Sequence, residues 1–285
     1  KLTGRLASVY VEEGQKVRKG QLLAKIETRE LEIQLQQAQA ALVSAKNAQI
    51  VVGTGTLAND LVAVQIKKLQ GKGLILANGE FGFRLIDHAD RLGLKYYILA
   101  KDWNENISAE EIENTLKAQT DISWVWTVHC ETSTGYLYDL NGILEITKKN
   151  QIKLCVDACS SVGTVPVDFQ NIYLASTVSG KGLGSYPGLA IVFHQDPVTP
   201  SKEIPRYLDI GQYANDDGVP YTHSSNLVSA LHEAVKKVDL EKRQVVAEAV
   251  RSMLKRAGLP VLGNEEYSPG IITIPLPDSF FQRIR

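Results

Sequence analysis

Residues 178–188 read VSGKGLGSYPG and set one lysine, Lys181, in a glycine-rich stretch. Glycine lets a backbone approach a ligand closely and take unusual dihedrals. An amine in such a loop can clamp a phosphate, react as a nucleophile, or only cap a surface turn. A phosphate-binding P-loop needs G-x-x-x-x-G-K followed by Ser or Thr. Position 175 is Ala and position 182 is Gly, so that reading fails at two places. The reactive amine stays open, because a confined site lowers a lysine's pKa and frees its lone pair. Asp157 stands near the carboxyl end of IKLCVDA, and Lys181 follows the next apolar run, NIYLAST. An aspartate there is commonly a turn or helix cap. With a lysine after the following strand it is also half of the pair a pyridoxal phosphate site uses: a carboxylate for the protonated ring nitrogen and an amine for the aldehyde.

Other stretches hold groups suited to the same ligand. In GTGTLAND, residues 53–60, Gly53 and Gly55 free the backbone, and Thr54 and Thr56 add hydroxyls. The N–H groups of Gly55 and Thr56 then point out of a helix beginning near Leu57, an arrangement that cradles a phosphate. Gly53-x-Gly55-x-x-Ala58, with Glu80 downstream, also fits the dinucleotide fingerprint. That fingerprint needs a preceding strand, and what precedes it is an Ala/Gln-rich stretch and only IVV. Phe81, in NGEFGFR, either stacks on a planar ring or packs in the ordinary way. In HCETSTG, residues 129–135, Thr132 is placed to hydrogen-bond a ring oxygen. His129 is the most conspicuous histidine, though a lone His at a strand end is more often structural than catalytic.

The elements that must carry these groups alternate. GLILAN, KYYILA, ISWVWTVH, IKLCVDA and NIYLAST are short apolar runs. GFRLIDHADRLG, SAEEIENTLKAQ and LNGILEITKKNQ lie between them with helical spacing. Gly93 ends the first helix, and Ser108 with Glu111 makes a capping box for the second. Such alternation predicts an α/β fold, a mostly parallel sheet with helices on both faces. Ligands then gather at the carboxyl ends of the strands. The chain has 285 residues, 44% hydrophobic and 22% charged, which suits a globular protein with a sizeable core. A net charge of −1 gives no field that favours nucleic acid or an anionic membrane. Cys130, Cys155 and Cys159 have no CxxC spacing, so the expectation is a reducing compartment with no disulfide framework and no metal site. No apolar run of about 18 residues is present. The start at Lys1, without methionine or signal pattern, reads as a fragment or a processed form.

Residues 1–50 have a different character from residues 51–285, and a domain boundary is expected between them. RLASVYVEEG and QLLAKIE predict two short strands, with Val9 and Val11 on one face, Tyr10 on the other, and Gly14 and Gly20 at the turns. Leu31, Leu35, Ala38, Leu42 and Ala45 then form a heptad stripe on a long helix over about 30–48. GRLASVYVEEGQKVRKGQLLAKIE resembles the half-lipoyl motif of membrane-fusion (adaptor) subunits of secretion and efflux systems, which leads into a coiled coil.

From about Val51 onward, the Gly/Thr loop, the aromatic, HCETSTG, VDACSSVGTVPVDF and the lysine before GLGSYPG resemble the class V aminotransferases. The likeness is to the branch containing alanine–glyoxylate, serine–pyruvate and 2-aminoethylphosphonate transaminases. The resemblance implies a fold of the aspartate-aminotransferase type and pyridoxal 5'-phosphate as cofactor. It implies amino transfer between a small amino acid and a 2-oxo acid. Lys181 would be the Schiff-base lysine and Asp157 the pyridinium partner. Phe81 would stack on the ring, Thr132 would reach its oxygen, and Thr54, Gly55 and Thr56 would hold the phosphate. VPYTHSSNLVSALHEAV resembles the segment that enters the neighbouring subunit's site, so Thr222 would contact a phosphate across a homodimer. Departures remain. The adaptor-like segment replaces the family's first helix, Gly180 stands where relatives carry Gln or His, and the small C-terminal domain with its carboxylate-gripping arginine is cut short. No nucleophilic cysteine loop is visible. Two alternatives stay open: a catalytically impaired fusion acting as a coiled-coil adaptor, and a pyridoxal phosphate lyase.

Overall fold

A computed structural model describes residues 6–26, 47–103, 105–263 and 267–276. The long heptad helix expected over 30–48 falls mainly on residues outside these. The chain divides into two compact units between Lys46 and Asn47. In the first, β1 (Leu6–Val9) and β2 (Ala24–Ile26) pair antiparallel. Gly14 and Gly20 take φ of +83° and +88° at the turns between them. The expected alternation of a half-buried strand does not hold here, because Val9 and Tyr10 are both exposed.

The second unit runs β3 (Ala48–Val52), α1 (Gly55–Ile66), β4 (Lys72–Ala77), α2 (Glu80–Leu92), β5 (Tyr96–Ala100), α3 (Ala109–Ala118) and β6 (Ile122–Val128). There follow the short β7 (Cys130–Glu131) and β8 (Tyr136–Leu137), α4 (Leu140–Lys149), β9 (Lys153–Asp157), β10 (Leu174–Val178) and β11 (Leu189–His194). A 3-10 turn (Arg206–Leu208), α5 (Ile210–Asn215), α6 (Ser225–Val235) and α7 (Leu240–Arg256) complete it. The main sheet has the order β3-β11-β10-β9-β6-β4-β5. β11 is antiparallel to both neighbours, and the other pairings are parallel. The six strands other than β11 therefore end at one edge. All five residues of β10, and all but the first of β4, are buried. Strands buried without alternation must be covered on both faces, as crossover helices do.

Local chemistry sets the element ends. Gly93 closes α2 in the left-handed region, with φ of +66°. Ser108 and Glu111 form the reciprocal capping box at α3. One element differs from expectation. IVV is part of a full strand, β3, whose Gln49 end faces His194 of β11 and bonds it at 3.1 Å. The strand thus crosses residue 50, where the composition changes. A strand does precede the Gly53–Gly55 loop, but β4, the next strand in sequence, lies across the sheet rather than beside it. The adjacent βαβ pair of a dinucleotide-binding unit is absent at this loop.

Leu154 on β9 is 1% exposed in the single large apolar cluster. Leu154→Ala should cost about 2–5 kcal/mol in denaturant unfolding. A cost under about 1 kcal/mol would contradict a closely packed strand at that position.

Candidate active site

The sheet topology delivers the chemistry-bearing residues to one edge. Phe81 follows β4, Thr132 follows β6, Asp157 ends β9, Lys181 follows β10, and the Gly/Thr loop follows β3. Register keeps them level: Asp157 lies opposite Val128 on one side and Ser176 on the other. Lys181 Nζ donates to Ser160 Oγ at 3.0 Å, and Ser160 Oγ bonds Thr132 Oγ1 at 2.5 Å. The same amine sits 5.3 Å from the centre of the Phe81 ring, which also carries the Arg84 guanidinium at 4.7 Å. Thr132, Ser160 and Lys181 line a cavity of about 860 Å3, walled on its far side by Val246, Ala247 and Val250 of α7 and by residues 269–272.

Asp157 is buried behind this row, 6% exposed. Its Oδ2 accepts from Asn59 Nδ2 at 2.7 Å, and its Oδ1 from the Cys159 amide at 2.8 Å. Asn59 Oδ1 accepts in turn from Ser176 Oγ at 2.6 Å. This chain ties α1 to β9 and β10 and sets where α1 begins. A Cβ at Gly55, the first residue of α1, would lie 3.3 Å from Cys159 Sγ and 3.4 Å from Val178, so the helix starts against both flanking strands. The buried Cys159 thiol is pushed well above its ordinary value by desolvation, Asp157's charge adding and Lys181's opposing.

The helix starts around the cavity are unlike the rest. The N-cap residues of α3, α4, α5, α6 and α7 all accept a hydrogen bond through their own side chains. Those of α1 and α2, Thr54 and Gly79, do not. At α2, Glu131 supplies the acceptor from β7: its carboxyl takes the amides of Phe81 (3.1 Å) and Gly82 (2.9 Å), and the amide (3.0 Å) and hydroxyl (2.6 Å) of Ser133. Phe81 is held in place by this cap. At α1 the first amide bonded back is that of Ala58, to Thr54 O. The amides before it, with the exposed Thr54 and Thr56 beside them, make an N-terminus that suits an anion.

Not every expected residue joins the cavity. Thr54, Gly55, Thr56, Phe81, Asp157 and Thr222 are not among its lining residues, and Thr222 is exposed. His223, next to it, bonds the carbonyl of Ile50 on β3 at 3.1 Å. His129 instead lines a second cavity of about 490 Å3 with Asn106, Tyr138 and Asp139. Its Nδ1 is buried without a hydrogen bond, and it stands away from the cavity that Lys181 lines. Three residues of the site escape motif reading. Ser160 is visible three positions after Asp157, Glu131 sits inside HCETSTG, and Asn59 lies one turn into α1. Each was in a quoted motif, yet only the tertiary pairing assigns its partner.

The aminotransferase class-V family model matches residues 5–203. The chain belongs to the class V aminotransferases. Among relatives of this class V chain, the 2-aminoethylphosphonate–pyruvate transaminase of Pseudomonas putida GB-1 is 28% identical over 242 residues, covering 80% of this chain and 65% of that protein. The alanine–glyoxylate aminotransferase structure from Nostoc sp. superposes with a TM-score of 0.70 at 29% identity, over 81% of this chain and 66% of that one. The ureidoglycine–glyoxylate aminotransferase of Bacillus subtilis shares the fold at a TM-score of 0.71 and 22% identity, over 81% and 65% of the two chains. This class V chain thus spans about two thirds of the length of these relatives.

Glu131→Ala would leave the amides of Phe81, Gly82 and Ser133 without their acceptor. It should lower the unfolding free energy by about 2–4 kcal/mol, read by urea titration. Burial holds the His129 imidazole down at about 4. The unfolded chain takes that proton near 6.5. Between those values the unfolded state binds more protons, so stability is full above about pH 6.5 and falls as pH drops toward 4. The whole effect is worth roughly 3 kcal/mol. His129→Gln should flatten this part of the stability–pH curve, and an unchanged slope would assign the effect to other groups.

Proposed function

We propose that the chain is a pyridoxal-phosphate-dependent aminotransferase that moves an amino group between a small amino acid and a 2-oxo acid. The observation that carries the reading is the convergence of Lys181, Ser160 and Thr132 on one cavity, with the Phe81 ring 5.3 Å from the amine, the buried Asp157 carboxyl on the neighbouring strand end and an uncapped helix start at the same sheet edge. These residues fit pyridoxal phosphate, with an amine for its aldehyde, a carboxylate for its ring nitrogen and open amides for its phosphate. When bound, the cofactor supplies an electron sink for charge developing at a substrate α-carbon.

The chain's own groups do the rest. Lys181 Nζ would hold the cofactor's aldehyde and, once the substrate's own amine has displaced it there, would be free to carry the proton at the substrate carbon, with Ser160 Oγ fixing the nitrogen's resting position. Asp157, itself oriented by Asn59 and the Cys159 amide, holds the proton on the ring nitrogen. Thr132 donates to the ring oxygen. Phe81 covers a ring face and excludes water there. Thr54, Gly55 and Thr56 bind the phosphate at the start of α1. Lys237 and Lys242, which also line the cavity, give it a cationic side suited to carboxylate-bearing substrates. The names of the relatives support the oxo-acid half of the reaction, since both pair an amine with pyruvate or glyoxylate.

A homodimer goes with this reading, with Thr222 serving the neighbour's phosphate site. Its exposure, and that of Tyr186 and Val219, supports it. A cytoplasmic location is supported by three cysteines that are all free and buried. Among the described residues no helix is long and apolar enough to cross a membrane. For the part of residues 1–50 that precedes β3, we propose a separate half-lipoyl-like segment, supported by the β1–β2 pair and its glycine turns.

Borohydride reduction of the protein with added pyridoxal phosphate, followed by peptide mapping, should place the mass tag on Lys181. Lys181→Ala should lose the tag and at least about a hundredfold of the amino-transfer rate. A tag on a different lysine, or none, would overturn the assignment.

A further inference from the structure

Arg243 of α7 lies outside every motif quoted above, yet its guanidinium touches both loops that carry the site. Its Nη1 donates to the carbonyl of Gly163 and to the carbonyl of Gly182. Gly163 belongs to the turn that follows Asp157 and Ser160, and Gly182 directly follows Lys181. The two loops meet backbone to backbone. Gly163 has φ of +75°, and a Cβ there would fall 2.5 Å from the Gly182 carbonyl oxygen. A Cβ at Gly182 would fall 2.2 Å from the Val162 oxygen and 2.6 Å from Thr164 Oγ1. Such close approach brings the negative ends of two peptide dipoles together, and a cation whose one Nη1 donates to both carbonyls relieves the repulsion. No carboxylate forms an ion pair with Arg243 among the described residues, so its donors remain with these carbonyls. The Lys181 loop closes on itself by the Gly184 amide to Lys181 O bond at 2.9 Å, which leaves Arg243 as a side-chain tie from outside both loops.

We propose that Arg243 is a positioning residue that clamps the Ser160–Gly163 turn to the Lys181 loop, and so holds the amine against Ser160. The proposal rests on the reading of Lys181 as the reactive amine, but the clamp itself is testable without cofactor. α7 also supplies Val246, Ala247 and Val250 to the cavity wall, so the same clamp docks that wall over the amine.

The test uses the full chain with Arg243→Met, which keeps an apolar stem, and Arg243→Lys, which keeps the charge but not the planar fork. Without cofactor, hydrogen exchange in residues 160–164 and 180–184 should rise about tenfold or more in Arg243→Met, since a charge-assisted bond is lost at each loop. Exchange in β6 and β9 should stay at the wild-type rate, and Arg243→Lys should recover part of the protection. With pyridoxal phosphate added, the pH midpoint of the visible band should move in Arg243→Met and return toward wild type in Arg243→Lys. Unchanged exchange in both loops, an equal rise across the whole sheet, or an unmoved midpoint would overturn the clamp. If Arg243→Met does not fold, the loop exchange and midpoint of Arg243→Lys decide the question by the same criteria. Absence of a borohydride tag on Lys181 in the wild type would refute the amine's assignment, while the cofactor-free exchange would still judge the clamp.

Discussion

One amide side chain inside α1 joins three elements. Asn59 donates to Asp157 at the end of β9 and accepts from Ser176 on β10, and all three groups are buried. An amide is the natural group for this, since it offers donor and acceptor in one plane. A buried network is stable only when each member is satisfied, and then it rigidifies what it connects. Here it fixes the helix axis relative to the sheet. The anion-binding end of α1, the carboxyl at the end of β9 and the loop after β10 inherit their spacing from that bond. Parallel strand order brings these parts to one edge, and the Asn59 bridge sets their mutual distances.

The two helix starts at that edge divide the work of binding. The first turn of α2 is satisfied by Glu131, so it serves as a fixed platform for Phe81. The first turn of α1 has no side-chain cap and keeps its donors available. Neither start has a side-chain cap of its own, Gly79 having no side chain and the Thr54 hydroxyl making no cap bond, yet only one is left for a ligand. The difference lies in a carboxyl that arrives from β7, far away along the chain. Thiol chemistry has no comparable support. Burial pushes Cys130 up to about 11 and Cys159 well above its ordinary value, so both stay protonated near neutral pH.

Much of this architecture was legible in the sequence because the signals were local. Apolar runs bounded by capping boxes and glycines marked β4, β5, β6, β9 and β10 and the helices between them. Asp157, Lys181 and Thr132 stand at strand ends, where residue type and position together suggest a role. Elements set by distant pairing were hidden. AQIVV reads as the tail of an Ala/Gln-rich stretch until β11 pairs with it, and LAIVFH does not announce that it runs antiparallel. Glu131 and Asn59 look like ordinary polar residues, because Glu131's partners on α2 lie 49 and 50 positions away and Asn59's partner Asp157 lies 98 positions away. Arg243 has no local signal, since its acceptors are backbone carbonyls, which every sequence has.

β3 ends the sheet on one side and so presents a row of backbone groups with no neighbouring strand. Its outward carbonyls at Ile50 and Val52 are taken by His223 and by the Tyr207 hydroxyl, at 3.1 and 2.8 Å. Tyr207 is itself braced by Tyr213 and Tyr221. Two filled acceptors make this edge a poorer template for another chain's backbone. A strand added along Ile50 and Val52 would first have to displace the His223 and Tyr207 side chains.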